Sequence, residues 1–313
     1  MVETTPFNGI HAATVCPMDQ MFAIDEAALV RHVQALAQVP GIRGFLINGH
    51  AGENFVLTRR ELMRVVSLVR QSVGETFWLT AGVNHESSLE AGRIAADAEA
   101  AGANALLVFP PNSWGLNHDT EMVVAHHRHV IEGTTLPIVL YQAPVGAGRM
   151  AYSLATLERL IEERRVAAIK EGSWEVATYE ENWRFVKGKR PDIAVLGSGD
   201  EHLLTSALIG SDGAQVSLAA VVPELIVALD RAVGAGDWPT ARALHDKIYP
   251  LSVAIYRKAP GNRATARLKA CLQMLGRIPD AAARPPIGKL GVDELAGLKH
   301  ALSIAGQSIA PHD

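Results

Sequence analysis

Lys170 directly follows the apolar run Val166-Ala-Ala-Ile169. A run of that composition reads as a buried strand, so the lysine stem emerges from an apolar setting. Burial disfavours an ammonium, and the pKa falls in response. The neutral amine that results is the nucleophile of Schiff-base chemistry. The plainer reading is a lysine paired with a carboxylate, and Glu171 is next in sequence. Tyr141 closes a second apolar run, Pro137–Tyr141. Its phenol can donate and accept, and so relay protons, although a core tyrosine with a satisfied hydroxyl would look the same. A third segment, Gly49-His50-Ala51-Gly52-Glu53, offers small residues whose backbone N–H groups can cradle a carboxylate.

These residues need elements to hold them. Apolar runs recur at His11–Pro17, Gly44–Asn48, Phe77–Val83, Ala105–Phe109, Pro137–Tyr141, Val166–Lys170, Ile193–Gly197 and Gly213–Ser217. Several are apolar at consecutive positions, as strands buried on both faces are. Helical patterns lie between them, which points to βαβ units and a parallel sheet. Thr58-Arg-Arg-Glu61 and Ser87-Ser-Leu-Glu90 both fit a capping box at a helix start. Asp25 precedes a helix with Leu29, Val30, Val33 and Leu36 on one face, and Asp200 precedes one with Leu203, Leu204 and Leu208. Eight such units close into a (β/α)8 barrel more readily than they form a doubly wound open sheet. After Ala235 the strand runs stop. Trp238–Tyr256, Asn262–Leu275 and Val292–Ala305 read as three helices, so 1–234 is taken as the barrel and 235–313 as a small helical domain. Active sites of barrels lie at the C-terminal ends of the strands, where the three chemical segments fall.

Composition narrows the partners. The chain has 313 residues, with 29 basic against 33 acidic side chains, a net charge of −4. No basic patch calls for nucleic acid. Cys16 and Cys271 are far apart and have no metal-ligand spacing, so a reducing cytoplasm is the expected setting. Met1–Gly9 has no basic and apolar pattern of a secretory signal. No apolar stretch reaches the ~18 residues of a membrane span. There is no dinucleotide fingerprint, so neither cofactor nor metal is expected. His126, His127 and His129 lie close together but away from strand ends, which favours a packed or surface role over a metal site. Gly197-Ser-Gly-Asp200 precedes a helix and could bind phosphate, but a pocket wall is the favoured role.

Taken together, the motifs resemble the dihydrodipicolinate synthase / N-acetylneuraminate lyase family of class I aldolase-like enzymes. Gly49-His-Ala-Gly-Glu53 resembles the family turn after the second strand, and Tyr141-Gln-Ala-Pro144 its Tyr-x-x-Pro. Lys170 takes the place of its Schiff-base lysine. Gly210-Ser-Asp-Gly-Ala214 and Arg284-Pro-Pro286 look like its later motifs. The likeness runs over about residues 8–300. It implies a barrel with three C-terminal helices, usually a homotetramer, and a keto acid joined to Lys170 as an imine. It implies that Tyr141 shuttles protons, that the N–H groups of His50 and Ala51 hold the keto-acid carboxylate, and that Gln215 lines the pyruvyl pocket. No cofactor is implied.

The substrate end departs from that pattern. Gly146 stands where the lysine-pathway synthase usually has an arginine, and Arg149 is three residues further on. Pro110-Pro-Asn112-Ser113-Trp114 replaces a stretch with paired tyrosines, and His50-Ala51 replaces hydroxyl residues. The expected activity is therefore that of a Schiff-base lyase on a small 2-keto acid, by aldol cleavage or condensation or by dehydration. The chain is expected to be poor with aspartate semialdehyde, whose carboxylate loses its partner. His50, which titrates near neutral pH in water, is expected to replace the missing proton relay. The other readings are a keto-acid binder without turnover, a true synthase with an altered semialdehyde site and, on weaker grounds, a metal-dependent aldolase. Retention of both Lys170 and Tyr141 argues against pure binding.

Overall fold

The computed structural model describes residues 5–310; residues 1–4, the start of the Met1–Gly9 segment, and 311–313 lie outside it. Eight parallel strands close into a ring in chain order, with the first also pairing with the eighth. They are β1 (Gly9–Ala13), β2 (Ile42–Ile47), β3 (Trp78–Val83), β4 (Ala105–Val108), β5 (Ile138–Gln142), β6 (Val166–Glu171), β7 (Ala194–Gly197) and β8 (Gly213–Val216). Helices α1 (Glu26–Ala37), α2 (Arg59–Val73), α3 (Ser88–Ala100), α4 (Thr120–Glu132), α5 (Leu154–Ile161), α6 (Val176–Lys189) and α7 (Leu203–Ile209) follow the first seven strands. After β8 come a single turn, α8 (Leu218–Val221), and then α9 (Pro223–Gly234). The expected (β/α)8 barrel is present.

Consecutive side chains of a strand point to opposite faces, and the two faces build two cores. Ala13, Leu46, Leu107, Val139, Ala168 and Leu196 point inward and fill the barrel. Their neighbours Ala12, Phe45, Leu106, Leu140, Ile169 and Val195 point outward and pack under the helices. This explains the unbroken apolar runs. The first run is strand only as far as Ala13, and the second ends at Asn48, whose φ of 52° turns the chain out of the sheet. Its amide donates to the carbonyl of Leu62 at 2.9 Å. Gly82, at the end of β3, accommodates that turn. A Cβ there would stand 1.9 Å from the carbonyl oxygen of Asn48.

Two of the expected helix starts follow local chemistry and a third does not. Asp25 accepts from the N–H of Ala28, and Thr58 with Glu61 forms the complete capping box expected of that sequence. Ser87 does begin α3, but its side chain makes no cap bond. Glu90, the other half of that expected box, pairs instead with Arg93 and Arg59. Cationic partners across the surface outcompete a local N–H.

The last three helices are α10 (Trp238–Tyr256), α11 (Ala264–Met274) and α12 (Val292–Ile304), with a short 3-10 turn, Gly261–Arg263, preceding α11. α10 packs on α9 and α12, and α11 reaches back to α8 and to the 3-10 turn His50–Gly52 after β2. The contact is ionic at its centre. Glu53 and Lys269 are fully buried and paired, and Lys269 also donates to the carbonyl of Ala282 at 2.7 Å. The second Glu53 oxygen accepts from the N–H of Arg284 at 2.9 Å.

Removing one partner of a buried pair leaves the other charged and unpaired, at a cost of about 3–5 kcal/mol. Glu53→Gln is expected to lose that much stability in denaturant unfolding, with part of it recovered in Glu53→Gln/Lys269→Met. A loss below about 1 kcal/mol would show that the pair does not hold the turn.

Candidate active site

The C-terminal ends of the strands surround an open cleft of about 1010 Å³, and Lys170, Tyr141, His50, Ala51 and Gln215 all line it. Lys170 and Glu171 are adjacent on β6 and so diverge. Lys170 points into the barrel mouth. Glu171 points outward, where it accepts from the N–H and Oγ of Ser173, at 3.2 and 3.0 Å, and from Asn182 at 2.8 Å. The pairing of Lys170 with Glu171 therefore does not occur, because strand alternation separates the two side chains. Burial holds the Lys170 amine down to about 8, while the negative charge of Asp200 pulls it up. At pH 7 about a tenth of such an amine is neutral, against about one in a few thousand for an ordinary lysine.

Register places Tyr141 directly beside Lys170 on the neighbouring strand. The amine lies 5.6 Å from the centroid of the Tyr141 ring. Burial, with the charge of Glu171, pushes the phenol above its usual range. Tyr141 therefore stays protonated and acts as a donor.

His50 stacks on Phe109, ring centroids 4.3 Å apart, and stands edge-on to Tyr141 at 5.4 Å. Its imidazole opens onto the cleft, with protein on its other sides. Desolvation by that surrounding, with the charge of Lys170 second, holds its pKa down to about 4. That shift favours the neutral imidazole, with one donor and one acceptor nitrogen, in a ring that stays exposed to the cleft. Its backbone is held by Thr265, whose hydroxyl donates to the His50 carbonyl at 3.0 Å. Among the described residues, the N–H groups of His50 and Ala51 donate to no protein acceptor. They sit at the start of the 3-10 turn, where free N–H groups favour an anion. Gln215, fully buried on β8, donates to Thr80 at 3.2 Å, and its Oε1 has no partner among the described residues.

Sequence reasoning missed Tyr256 and the electrostatic part of Asp200, whose segment it did favour as a pocket wall. Asp200 was expected to lead the helix that begins at Leu203, but that helix starts from His202. Asp200 instead accepts from the N–H of Leu218 at 2.8 Å, at the start of α8 beyond the neighbouring strand β8. The Gly197–Asp200 segment is thus a pocket wall. Burial raises the Asp200 carboxyl to about 6. Tyr256, from the end of α10, turns its hydroxyl toward Asp200 and Ser217. The place of Asp200 just past a barrel strand was a usable signal. Nothing local marks Tyr256, which comes from a different part of the chain.

The other sequence candidates lie elsewhere. His127 bonds the carbonyl of Val123 and the hydroxyl of Tyr152, His126 bonds Ser88, and both pack around Trp114; His129 is on the surface. Among the described residues no group of three or more His, Cys, Asp or Glu side chains is placed to hold a metal, and no helix is long and apolar enough to cross a membrane. Arg149 donates to Asn117 at 2.6 Å and does not line the cleft. Asn112 does line it.

A closed parallel barrel with a desolvated lysine and a tyrosine side by side at its mouth defines a class of barrel lyases. The sequence matches the dihydrodipicolinate synthetase family over residues 6–305, and the chain belongs to that family of lyases. It is 30% identical over 310 residues to the 4-hydroxy-tetrahydrodipicolinate synthase of Kineococcus radiotolerans, covering 98% of this chain and 96% of that one. It is 31% identical over 307 residues to the synthase of Nitrobacter hamburgensis, covering 95% and 99%. In structure it superposes on the E. coli K12 prophage protein YagE, solved in complex with pyruvate, with a TM-score of 0.88, 23% identity and coverage of 96% and 99%. It superposes on the 4-hydroxy-tetrahydrodipicolinate synthase of Methylacidiphilum fumariolicum SolV with a TM-score of 0.84, 25% identity and coverage of 96% of each chain.

The free amine attacks carbonyls, so adduct formation with a carbonyl probe at Lys170 should rise with pH and level off above about 8. Asp200→Asn removes the charge that favours the ammonium, so the inflection should move to lower pH. An unchanged or higher inflection, read by quenched mass spectrometry, would remove Asp200 from the electrostatics of Lys170.

Proposed function

We propose that the protein is a Schiff-base lyase acting on a small 2-keto acid. The carrying observation is the partly neutral amine of Lys170 beside Tyr141, facing unengaged N–H groups at His50 and Ala51. In this reading those N–H groups hold the keto-acid carboxylate and Gln215 closes the pocket beside it. The carbonyl carbon takes the Lys170 amine and loses its oxygen as water, giving an imine. The protonated imine draws electrons from the adjacent carbon. A C–C bond to a hydroxyl-bearing carbon can then break, releasing an aldehyde, or a proton and a hydroxide can leave as water. Tyr141 carries the proton between the reacting oxygen and the cleft. Water hydrolyses the imine and frees the amine.

His50 takes the place of the missing hydroxyl relay. As a neutral imidazole edge-on to Tyr141, it can pass a proton without bearing charge in the ground state. No metal or nucleotide enters this cycle. The same reading treats 1–234 as the catalytic barrel and 235–313 as an appended helical domain, in a cytoplasmic homotetramer. The family membership and the pyruvate complex of YagE support a pyruvate-like substrate.

Incubation with pyruvate and borohydride should add a reduced adduct at Lys170 alone, and Lys170→Arg should abolish it. Adducts spread over other lysines, or none, would refute the Schiff-base reading.

General acid–base catalysis typically contributes ~10²–10⁴-fold. His50→Ala should lose turnover in that range while the borohydride adduct still forms. Turnover within a few-fold of the parent would leave only the backbone of His50 with a role.

A further inference from the structure

The two sides of the cleft carry aromatic rings that the protein does not use up. The chain leaves β6 through a tight hook. Gly172 donates to the carbonyl of Gln142 at 3.1 Å, and a Cβ on it would stand 2.8 Å from that oxygen. Glu171 then fastens Ser173 through its N–H and Oγ. The hook forces Trp174 to a φ of 60°, a conformation that side-chain-bearing residues rarely adopt and that marks positions under functional constraint. Trp174 lines the cleft, partly exposed, braced by Tyr256 with ring centroids 5.0 Å apart. β2 and β6 are four strands apart in a ring of eight, so the segment after β2 faces it. There Phe55, 41% exposed, stands edge-on to His50 at 6.3 Å, and His50 lies on Phe109. A partly exposed tryptophan and an exposed phenylalanine on facing walls of one cleft offer two apolar faces to a flat apolar group.

The charges of the lining do not favour a second carboxylate. Lys170 and Arg257 are the lysine and arginine of the lining. Arg257 is held by the buried Glu201 at 2.7 Å and by the hydroxyl of Tyr249 at 3.0 Å, so its charge is already balanced. Asp200 faces Lys170, so among the described residues the lining has no unpaired cation to hold a second carboxylate.

We propose that the carbonyl partner of the keto acid is an uncharged aromatic aldehyde whose ring sits between Trp174 and Phe55. The inference rests on the Schiff-base reading above. In the joining direction, the pyruvate imine on Lys170 loses a methyl proton to become an enamine. Its terminal carbon forms a bond to the aldehyde carbon, and the aldehyde oxygen takes up a proton. Water then cleaves the imine, releasing the 4-aryl-4-hydroxy-2-keto acid and the free amine. The cleavage direction is the reverse, and no oxidant or reductant is needed.

The test pairs pyruvate with benzaldehyde, succinate semialdehyde or glyceraldehyde, and follows product formation. Benzaldehyde should exceed both others in kcat/KM by about tenfold or more, the ratio one lost ring contact with its burial implies. Trp174→Ala and Phe55→Ala should each erase most of that preference, and Trp174→Phe should keep it. Borohydride trapping of pyruvate on Lys170 should be unchanged in all three. A preference for the semialdehyde or glyceraldehyde with trapping intact overturns the aromatic slot alone. A benzaldehyde preference that survives both alanine variants overturns the assignment to these two residues. Failure of trapping in the parent protein overturns the Schiff-base reading and this proposal with it.

Discussion

The buried ion pair between Glu53 and Lys269 is the constraint on which the cleft depends. A carboxylate out of water must be matched, and here the match comes from a helix more than two hundred residues later. The pair locks the turn after β2, so that the N–H groups of His50 and Ala51 point at open space instead of closing on the protein. Nearby bonds reinforce it. Thr265 holds the carbonyl of His50, and Arg284 reaches the carbonyls of Phe22 and Val56 and the carboxylate of Glu61. Glu61 thus works twice, in the cap of α2 and as an anchor for the C-terminal segment. The last helices are part of the mouth of the barrel.

Against this rigid rim, the chemistry is set by dehydration. The same loss of water lowers Lys170, lowers His50 and raises Tyr141 and Asp200. Each shift favours the neutral form. Asp200 is the opposing influence, because its ionised form draws the amine back toward the ammonium. The amine is thereby held near physiological pH, where its neutral and protonated forms are both populated. One buried carboxylate in the wall tunes this balance without touching the β6 backbone.

The hook after β6 shows how closely position and strain are joined. Glu171 cannot serve Lys170 because it lies on the opposite face of the strand. It serves the next turn instead, and that turn carries Trp174 into the cleft in an unfavourable backbone conformation. Such strain persists only where surrounding bonds over-determine it, and here Ser173, Asn182 and Gln142 provide them.

Short-range patterns in the sequence were enough for the barrel, its eight strands, the Thr58 cap and the three last helices, because periodicity and capping act within a few residues. Lys170 and Tyr141 were legible for the same reason: each ends an apolar run, and barrel strands end at the site. The second capping box failed because Arg93 and Arg59 claimed Glu90, a competition partly across the surface. Asp200 was misread because its partner, Leu218, is eighteen residues on, and Tyr256 carried no local signal at all. Tertiary structure alone decided that His50 packs on Phe109 beside Tyr141, that Asp200 reaches Leu218 and that Glu53 meets Lys269. Those outcomes depend on which segments the closed ring brings together and how much water they leave between them, and neither quantity is written in any stretch of neighbouring residues.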